Sequence, residues 1–285
     1  MDFVEIMRRF VKEAGKMAVA FREDSRPSLK PDRSVVTRAD KAISDLAQEH
    51  LVTTLARPGH ILIEEEAGQT EDVFQRVFAE ETPYVWSVDP IDGTRNYANQ
   101  LPHFGISIGL LKDLSPFMGM VYFPVLNELF LCDGQEAYFV REAFTPAEKI
   151  RKITPVDQEI SHQSIFFTMD TFWRDYQWDH KDCHVNKMGA AVIDLCWPAV
   201  GRGCGAILRA FLWDFAGPWP ILKAAGLDLR ALDTGRRLDR LRQDIFVPQR
   251  PWRLKDYYLV SSERNFPVLQ RKITARTDNG EWAKR

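Results

Sequence analysis

The chain has 285 residues, 45% of them hydrophobic and 27% charged, and a net charge of −2. That length allows one large domain or two subdomains with a substantial core, and the composition excludes extensive disorder. The interspersed charge excludes a global basic field for nucleic acid, and no apolar stretch approaches the length of a membrane span.

The elements follow in chain order. Phe3, Met7, Phe10, Val11, Ala14, Met17, Ala18 and Phe21 recur at helical spacing and predict a helix over 3–22. Arg26-Pro27 and Lys30-Pro31 break it, and Thr37-Arg38-Ala39-Asp40 has the form of a capping box opening a second helix through Ile43, Leu46 and Leu51. His60-Ile61-Leu62-Ile63 predicts a strand that runs into Glu64-Glu65-Glu66. Strands are predicted near 84–88, 104–112, 117–123, 128–133 and 137–140, and their succession without helices implies a mostly antiparallel sheet. Polar sequence around 144–160 reads as a joint, giving an α+β subdomain over 1–145 and an α/β subdomain over 146–285.

The second part alternates: a strand over 164–167, a helix over 190–200, a strand over 206–211, a helix over 214–225, a strand over 257–260 and a closing helix over 266–273. Pro218 and Pro220 inside one helical run predict a late start or a kink. Arg236 to Arg242 reads as a solvated helix face, Asp179 to His184 as a polar surface loop, and Thr277 to Arg285 as a frayed tail. Met1-Asp2-Phe3-Val4-Glu5 lacks the features of a signal peptide. Cys132, Cys183, Cys196 and Cys204 form no CxxC pair, so the expectation is a soluble cytoplasmic protein with reduced thiols.

The chemistry concentrates in Trp86-Ser87-Val88-Asp89-Pro90-Ile91-Asp92-Gly93-Thr94-Arg95-Asn96-Tyr97. An apolar strand delivers two carboxylates around a proline, so Asp89, Asp92 and the Ile91 carbonyl can converge on one cation. Mg²⁺ takes oxygen ligands in near-octahedral geometry and keeps several waters. Gly93 permits close backbone approach, and the Gly93 and Thr94 amides can meet a phosphate. Read singly, Asp-Pro and Asp-Gly also form exposed turns. The three glutamates also suit a solvated loop, and Asp214 before a helical run also suits an N-cap.

Together these residues carry a resemblance to the inositol monophosphatase family, the lithium-sensitive, Mg²⁺-dependent phosphomonoesterases. Trp86 to Tyr97 matches its first signature, with Tyr97 for the usual Phe, and Trp213-Asp214-Phe215-Ala216-Gly217 through Ala225-Gly226 is similar to its second. Pro58 to Gly68, Val36 to Asp40, and Met188-Gly189-Ala190-Ala191 with Asp194-Leu195-Cys196 resemble three further segments in family order. The resemblance implies a layered αβαβα sandwich, mixed α+β and α/β, working as a homodimer without nucleic acid or membrane partners. It implies two or three Mg²⁺ ions on Glu65, Asp89, Ile91, Asp92 and Asp214. Counting from Ile61-Leu62 selects Glu64 in place of Glu65. Glu65, Thr94 and Asp40 take the catalytic roles around a metal-activated water, and Asp92, Gly93, Thr94, Gly189, Ala190, Ala191 and Asp214 receive the substrate.

The departures lie at the other end of the substrate. Ile207 stands where inositol-binding relatives carry an acid, and Ala190 replaces a hydroxyl residue. The expected substrate is a small phosphorylated metabolite, an inositol-phosphate-like polyol or a related ester. The alternatives are histidinol phosphate, fructose bisphosphate or a 3′-phosphonucleotide, although no arginine cluster in the sequence marks a second phosphate site. A regulatory or binding protein that retains the fold is the alternative of another class.

Overall fold

In the computed structural model, α1 (Phe3–Phe21) buries Met7, Phe10, Val11, Ala14 and Ala18 along one face, as their spacing predicts. The Asp2 side chain caps it by accepting from the Val4 and Glu5 amides. The structure describes residues 2–24, 27–30, 35–67, 71–79, 83–179 and 181–276. The expectations on Met1, Arg26, Pro31, Gly68, His180 and the tail Thr277 to Arg285 fall outside them. The short strands β1 (Ser28–Leu29) and β2 (Val35–Val36) pair antiparallel. The predicted capping box opens α2 (Arg38–Leu55): the Thr37 amide donates to Asp40 Oδ2 at 2.7 Å and the Thr37 hydroxyl at 2.5 Å.

Next come β3 (His60–Glu64), α3 (Glu71–Ala79), β4 (Tyr84–Asp92), α4 (Thr94–Ala98), β5 (Gly105–Lys112), β6 (Ser115–Phe123), β7 (Glu128–Cys132), β8 (Ala137–Arg141) and β9 (Lys149–Lys152). All seven strands from β3 to β9 lie in sequence order in one sheet, antiparallel except for β3 beside β4. The stretch expected as a joint therefore contributes β9 to this sheet. β4 also runs past its predicted end. Asp89 pairs with Ser107 and Asp92 with Gly105, so a bulge holds one extra residue where Pro90 cannot donate to the ladder. Residues three apart on a regular strand face opposite ways. The extra residue turns Asp89 and Asp92 to one side.

The remaining chain forms β10 (Ile165–Phe167), α5 (Phe172–Asp175), β11 (Tyr176–Trp178), β12 (His184–Asn186), α6 (Ala191–Cys196), β13 (Gly205–Leu208), α7 (Leu212–Ala216), α8 (Pro218–Ala224), β14 (Leu227–Ala231), β15 (Phe246–Val247), β16 (Arg250–Leu254), β17 (Tyr258–Ser262), α9 (Phe266–Lys272) and β18 (Ile273–Ala275). Its main sheet has the order β12-β10-β13-β17-β14 and mixes parallel with antiparallel pairs. The helix predicted over 214–225 is two helices, with Pro218 as the first residue of α8, where its missing N–H costs nothing.

Three buried clusters separate the layers. α1 and α2 pack with Trp86, Val88, Ile106 and Ile108 on one face of the large sheet. On its other face Val85, Val121 and Phe130 share a core with Val192, Phe215 and Trp219 of α6–α8 and with Ala206, Leu229 and Val260 of the second sheet. Beyond that sheet, Phe166, Ile207 and Leu259 pack with Phe172, Phe266 and Leu269. The order is the expected αβαβα sandwich. Close contact between the middle layers needs glycine: a Cβ at Gly109 would lie 2.5 Å from the Ala216 carbonyl carbon, and one at Gly119 would strike the Gly217 carbonyl.

Two local expectations change. Arg236 to Arg242 is not a helix; Leu238 and Leu241 are buried, and their amides bond to the Leu229 and Leu114 carbonyls, which pins the segment as an irregular strap. Within Asp179 to His184, Cys183 is buried and His184 opens β12, so only part of the run is surface loop.

Candidate active site

The β4 bulge, the start of α4 and the first turn of α7 meet at a cavity of about 300 Å³. Asp89, Asp92 and Asp214 each place a carboxylate oxygen within 4.8 Å of the others. Asp89 is 1% exposed, and its Oδ1 has no hydrogen-bond partner. The Val192 amide, at the start of α6, donates to Asp92 Oδ2, and the Phe211 amide donates to Asp214 Oδ2 at 2.8 Å. Asp214 is not the N-cap that its place before a helical run suggested: the cap is Phe211, and Asp214, three residues on, accepts from the cap's amide while it stands in the carboxylate cluster.

Crowding and burial set the electrostatics. Burial, then the charges of Glu65, Asp92 and Asp214, push the Asp89 carboxyl well above the usual range. Asp214 rises for the same reasons, burial first and then Asp92 and Glu65. Burial raises Asp92 to about 6, against the pull of the Val192, Ala191 and Gly93 amides. Such a cluster is short of positive charge.

The two readings of the glutamate run separate cleanly. Glu64 turns to α2, where its carboxylate accepts from Ser44 Oγ at 2.6 Å and Gln48 Nε2 at 2.8 Å. Glu65 borders the cavity, and Lys30 Nζ bridges Glu65 Oε1 at 2.9 Å and Glu66 Oε1 at 2.6 Å. Burial lifts the Glu65 carboxyl to about 7, against the opposing pull of Lys30. Behind the cavity, the Thr94 hydroxyl lies 3.2 Å from Asp40 Oδ1 and 3.0 Å from the Ile91 carbonyl. Asp40 is buried and raised to about 6, chiefly by desolvation, although both Thr37 bonds favour its charged form.

Of the expected substrate residues, Asp92, Gly93, Thr94, Gly189 and Asp214 border the cavity. Ala190 is buried, and its Cβ would be 2.9 Å from a Cβ at Gly93; that contact and a φ of +89° explain the glycine there. Ala191 contributes its amide on the Asp92 side. Ile207 is 2% exposed and packs in the outer core, away from the cavity. Residues that the sequence reading did not assign complete the lining: Val35, Arg95, Asp170, Phe211 and Trp213. The Phe211 and Trp213 rings stack at 4.6 Å with an interplanar angle of 6°. Arg95 was visible inside the first signature, and the i, i+2 aromatics before Asp214 were the available signal for the wall.

The sequence model described as the inositol monophosphatase family matches residues 5–265. The Nus factor SuhB of Pasteurella multocida is 29% identical over 214 residues, covering 72% of this chain and 74% of that protein. Inositol monophosphatase 1 of Solanum lycopersicum is 29% identical over 230 residues, covering 79% and 80%. The Thermotoga maritima IMPase structure superposes with a TM-score of 0.72 at 18% identity, covering 95% of this chain and 96% of that one. The extragenic suppressor protein suhB of Bartonella henselae gives 0.71 at 20% identity, covering 95% and 98%.

Proposed function

The chain belongs to the inositol monophosphatase family, and from that premise we propose a Mg²⁺-dependent phosphomonoesterase that acts on a small phosphorylated metabolite. One observation carries the reading: three carboxylates converge within 4.8 Å around an Asp89 oxygen that has no partner. Buried anions without compensation are unfavourable, and an all-oxygen donor set suits a hard divalent cation. In this reading Glu65, Asp89, the Ile91 carbonyl, Asp92 and Asp214 hold two or three Mg²⁺ ions.

Mg²⁺ bound there acidifies a water and offsets charge on the phosphoryl group. The chain's own residues do the rest. Thr94, between Asp40 and the Ile91 carbonyl, orients the attacking water through its hydroxyl. Glu65, which borders the cavity, and Asp40, 3.2 Å from the Thr94 hydroxyl, are the carboxylates placed to receive its proton. Gly93 leaves room for the phosphoryl oxygens, while the α6 amide holds Asp92 facing them. No side chain needs to become phosphorylated.

Apart from Glu65 and the Asp89, Asp92 and Asp214 cluster, Asp170 is the one acid of the cavity lining among the described residues, and it is already paired with Arg95 and Lys187, so the reading favours an ester other than an inositol phosphate. The same proposal includes inhibition by lithium, a homodimer and residence in the cytosol, where the four free, buried cysteines stay reduced. Phosphate release from a panel of phosphate esters, with Mg²⁺ or with EDTA, tests the activity. Release with Mg²⁺ that EDTA and Asp89→Asn both abolish supports it. The name of the Pasteurella relative motivates a second reading, a partner-binding protein that retains the fold. Tight Mg²⁺ binding without phosphate release from any ester would favour that one.

A further inference from the structure

The aromatic wall of the cavity leads to a cluster of arginines that come from distant parts of the chain. Phe211 borders the cavity, and its backbone forms an antiparallel bridge with Arg253, whose guanidinium lies 5.8 Å from the Phe211 ring centre. Arg209, two residues before Phe211, sits 4.4 Å over the Tyr257 ring and pairs with Asp175 at 3.1 Å. Arg174 pairs with the same carboxylate at 3.0 Å. Tyr257 also donates to Asp175, at 2.9 Å. Arg250 and Arg253 form no ion pair among the described residues, so Asp175 is shared by Arg174 and Arg209 while Arg253 feels the charges of Arg250, Arg209 and Arg174. Their mutual repulsion and burial disfavour charge on Arg253, burial first. The ring contacts and Asp175 offset this crowding only in part, and a bound anion relieves the rest.

The rest of the wall supports the same reading. Asp170 is held between Arg95 and Lys187, so its carboxylate is already committed. Apart from Glu65 and the Asp89, Asp92 and Asp214 cluster, it is the one acid of the lining among the described residues. A polyol leaving group therefore finds few open acceptors, while an anionic one finds open donors just past Phe211.

We propose that the substrate's leaving group carries a second anionic group, held by Arg253 with Arg209 and Arg250 beyond the Phe211 ring. The proposal rests on the phosphatase reading and names its substrate class: a phosphate ester with a second phosphate, sulfate or carboxylate. Arg253 acts as a specificity-determining residue and takes no part in the chemistry at the carboxylates.

The test compares matched ligands: a nucleoside 3′,5′-bisphosphate with its 3′-monophosphate, and a hexose 1,6-bisphosphate with its 1-phosphate. For at least one pair, kcat/KM favours the doubly charged ester by about 10- to 100-fold, through KM, and the preference shrinks as salt rises. Arg253→Gln removes the preference while the monophosphate rate stays within about twofold. Arg250→Ala, at an exposed position, gives a smaller loss in the same direction and covers the case in which Arg253→Gln does not fold. Equal kcat/KM within both pairs in the unmodified protein overturns the inference, even with rapid phosphate release. If no ester is hydrolysed, the phosphatase reading falls, and titration calorimetry of the same pairs decides the inference by itself. Tighter binding of the double anion, lost in Arg253→Gln, upholds it; equal binding overturns it.

Discussion

The inner end of the cavity is acidic and drawn mainly from one continuous stretch, Asp89 to Thr94, whereas the outer wall is aromatic and basic and drawn from several. At the inner end the carboxylates crowd so closely that burial and repulsion raise their protonation ranges. At the outer wall the crowded groups are guanidiniums. Each end is frustrated alone, in opposite senses. In the proposed function the difference separates two tasks, one end taking a cation and a phosphoryl group and the other whatever the phosphoryl group is attached to.

The largest expected effect comes from emptying the inner end. Asp89→Asn lowers turnover by about a thousandfold or more, measured as phosphate release. In EDTA its melting temperature does not fall, because the change removes a buried repulsive charge; a large loss of stability would mean that Asp89 serves the fold. Next is the response to pH without metal. Asp40 and Asp92 rise from ordinary carboxylate values to about 6 and Glu65 to about 7, so the folded state binds more protons than the unfolded state across that window. Stability in EDTA is therefore fully present below about pH 4 as far as these groups decide it, and falls as pH rises to about 7. Mg²⁺ reverses the trend above pH 6 by favouring the charged forms, and thermal melts across pH with and without Mg²⁺ read the crossing.

A smaller effect tests how the two ends are joined. Gly109→Ala sets a methyl against the Ala216 carbonyl and costs about 1–3 kcal/mol in denaturant unfolding. It also weakens Mg²⁺ binding, since Asp214 rides on the same helix; unchanged Mg²⁺ affinity would break the link. The smallest change belongs to the outer wall. Phe211→Ala keeps the amide that bonds Asp214, so kcat stays within about twofold while KM rises by up to about tenfold. Loss of kcat instead would erase the division between the ends.

Legibility followed the same division. The mostly antiparallel first sheet, the Thr37–Asp40 box and the proline disturbance after Asp214 were readable, because periodicity, capping and proline act over a few residues; the αβαβα sandwich came from the family resemblance. The Asp89–Asp92 pair was readable for the same reason, although the bulge that aims both to one side was not. Which of Glu64 and Glu65 borders the cavity depends on Ser44 and Gln48, which only the packing of α2 brings to Glu64. The strap over 236–242 misled because its leucines repeat at helical spacing while one reaches β14 and the other the turn between β5 and β6. The arginine cluster had no sequence signal at all, since Arg174, Arg209 and the pair Arg250 and Arg253 come from three separate segments.

The glycine contact between the large sheet and α7–α8 also bears on when the metal centre comes into being. Asp89 and Asp92 are on the sheet, but Asp214 reaches them only when backbone settles on backbone at Gly109, Gly119 and Gly217. During synthesis the first two acids emerge long before the third, so a partly made chain offers an ion only an incomplete grip. The carboxylate cluster is therefore a product of the docked layers, complete only once α7 lies against the sheet.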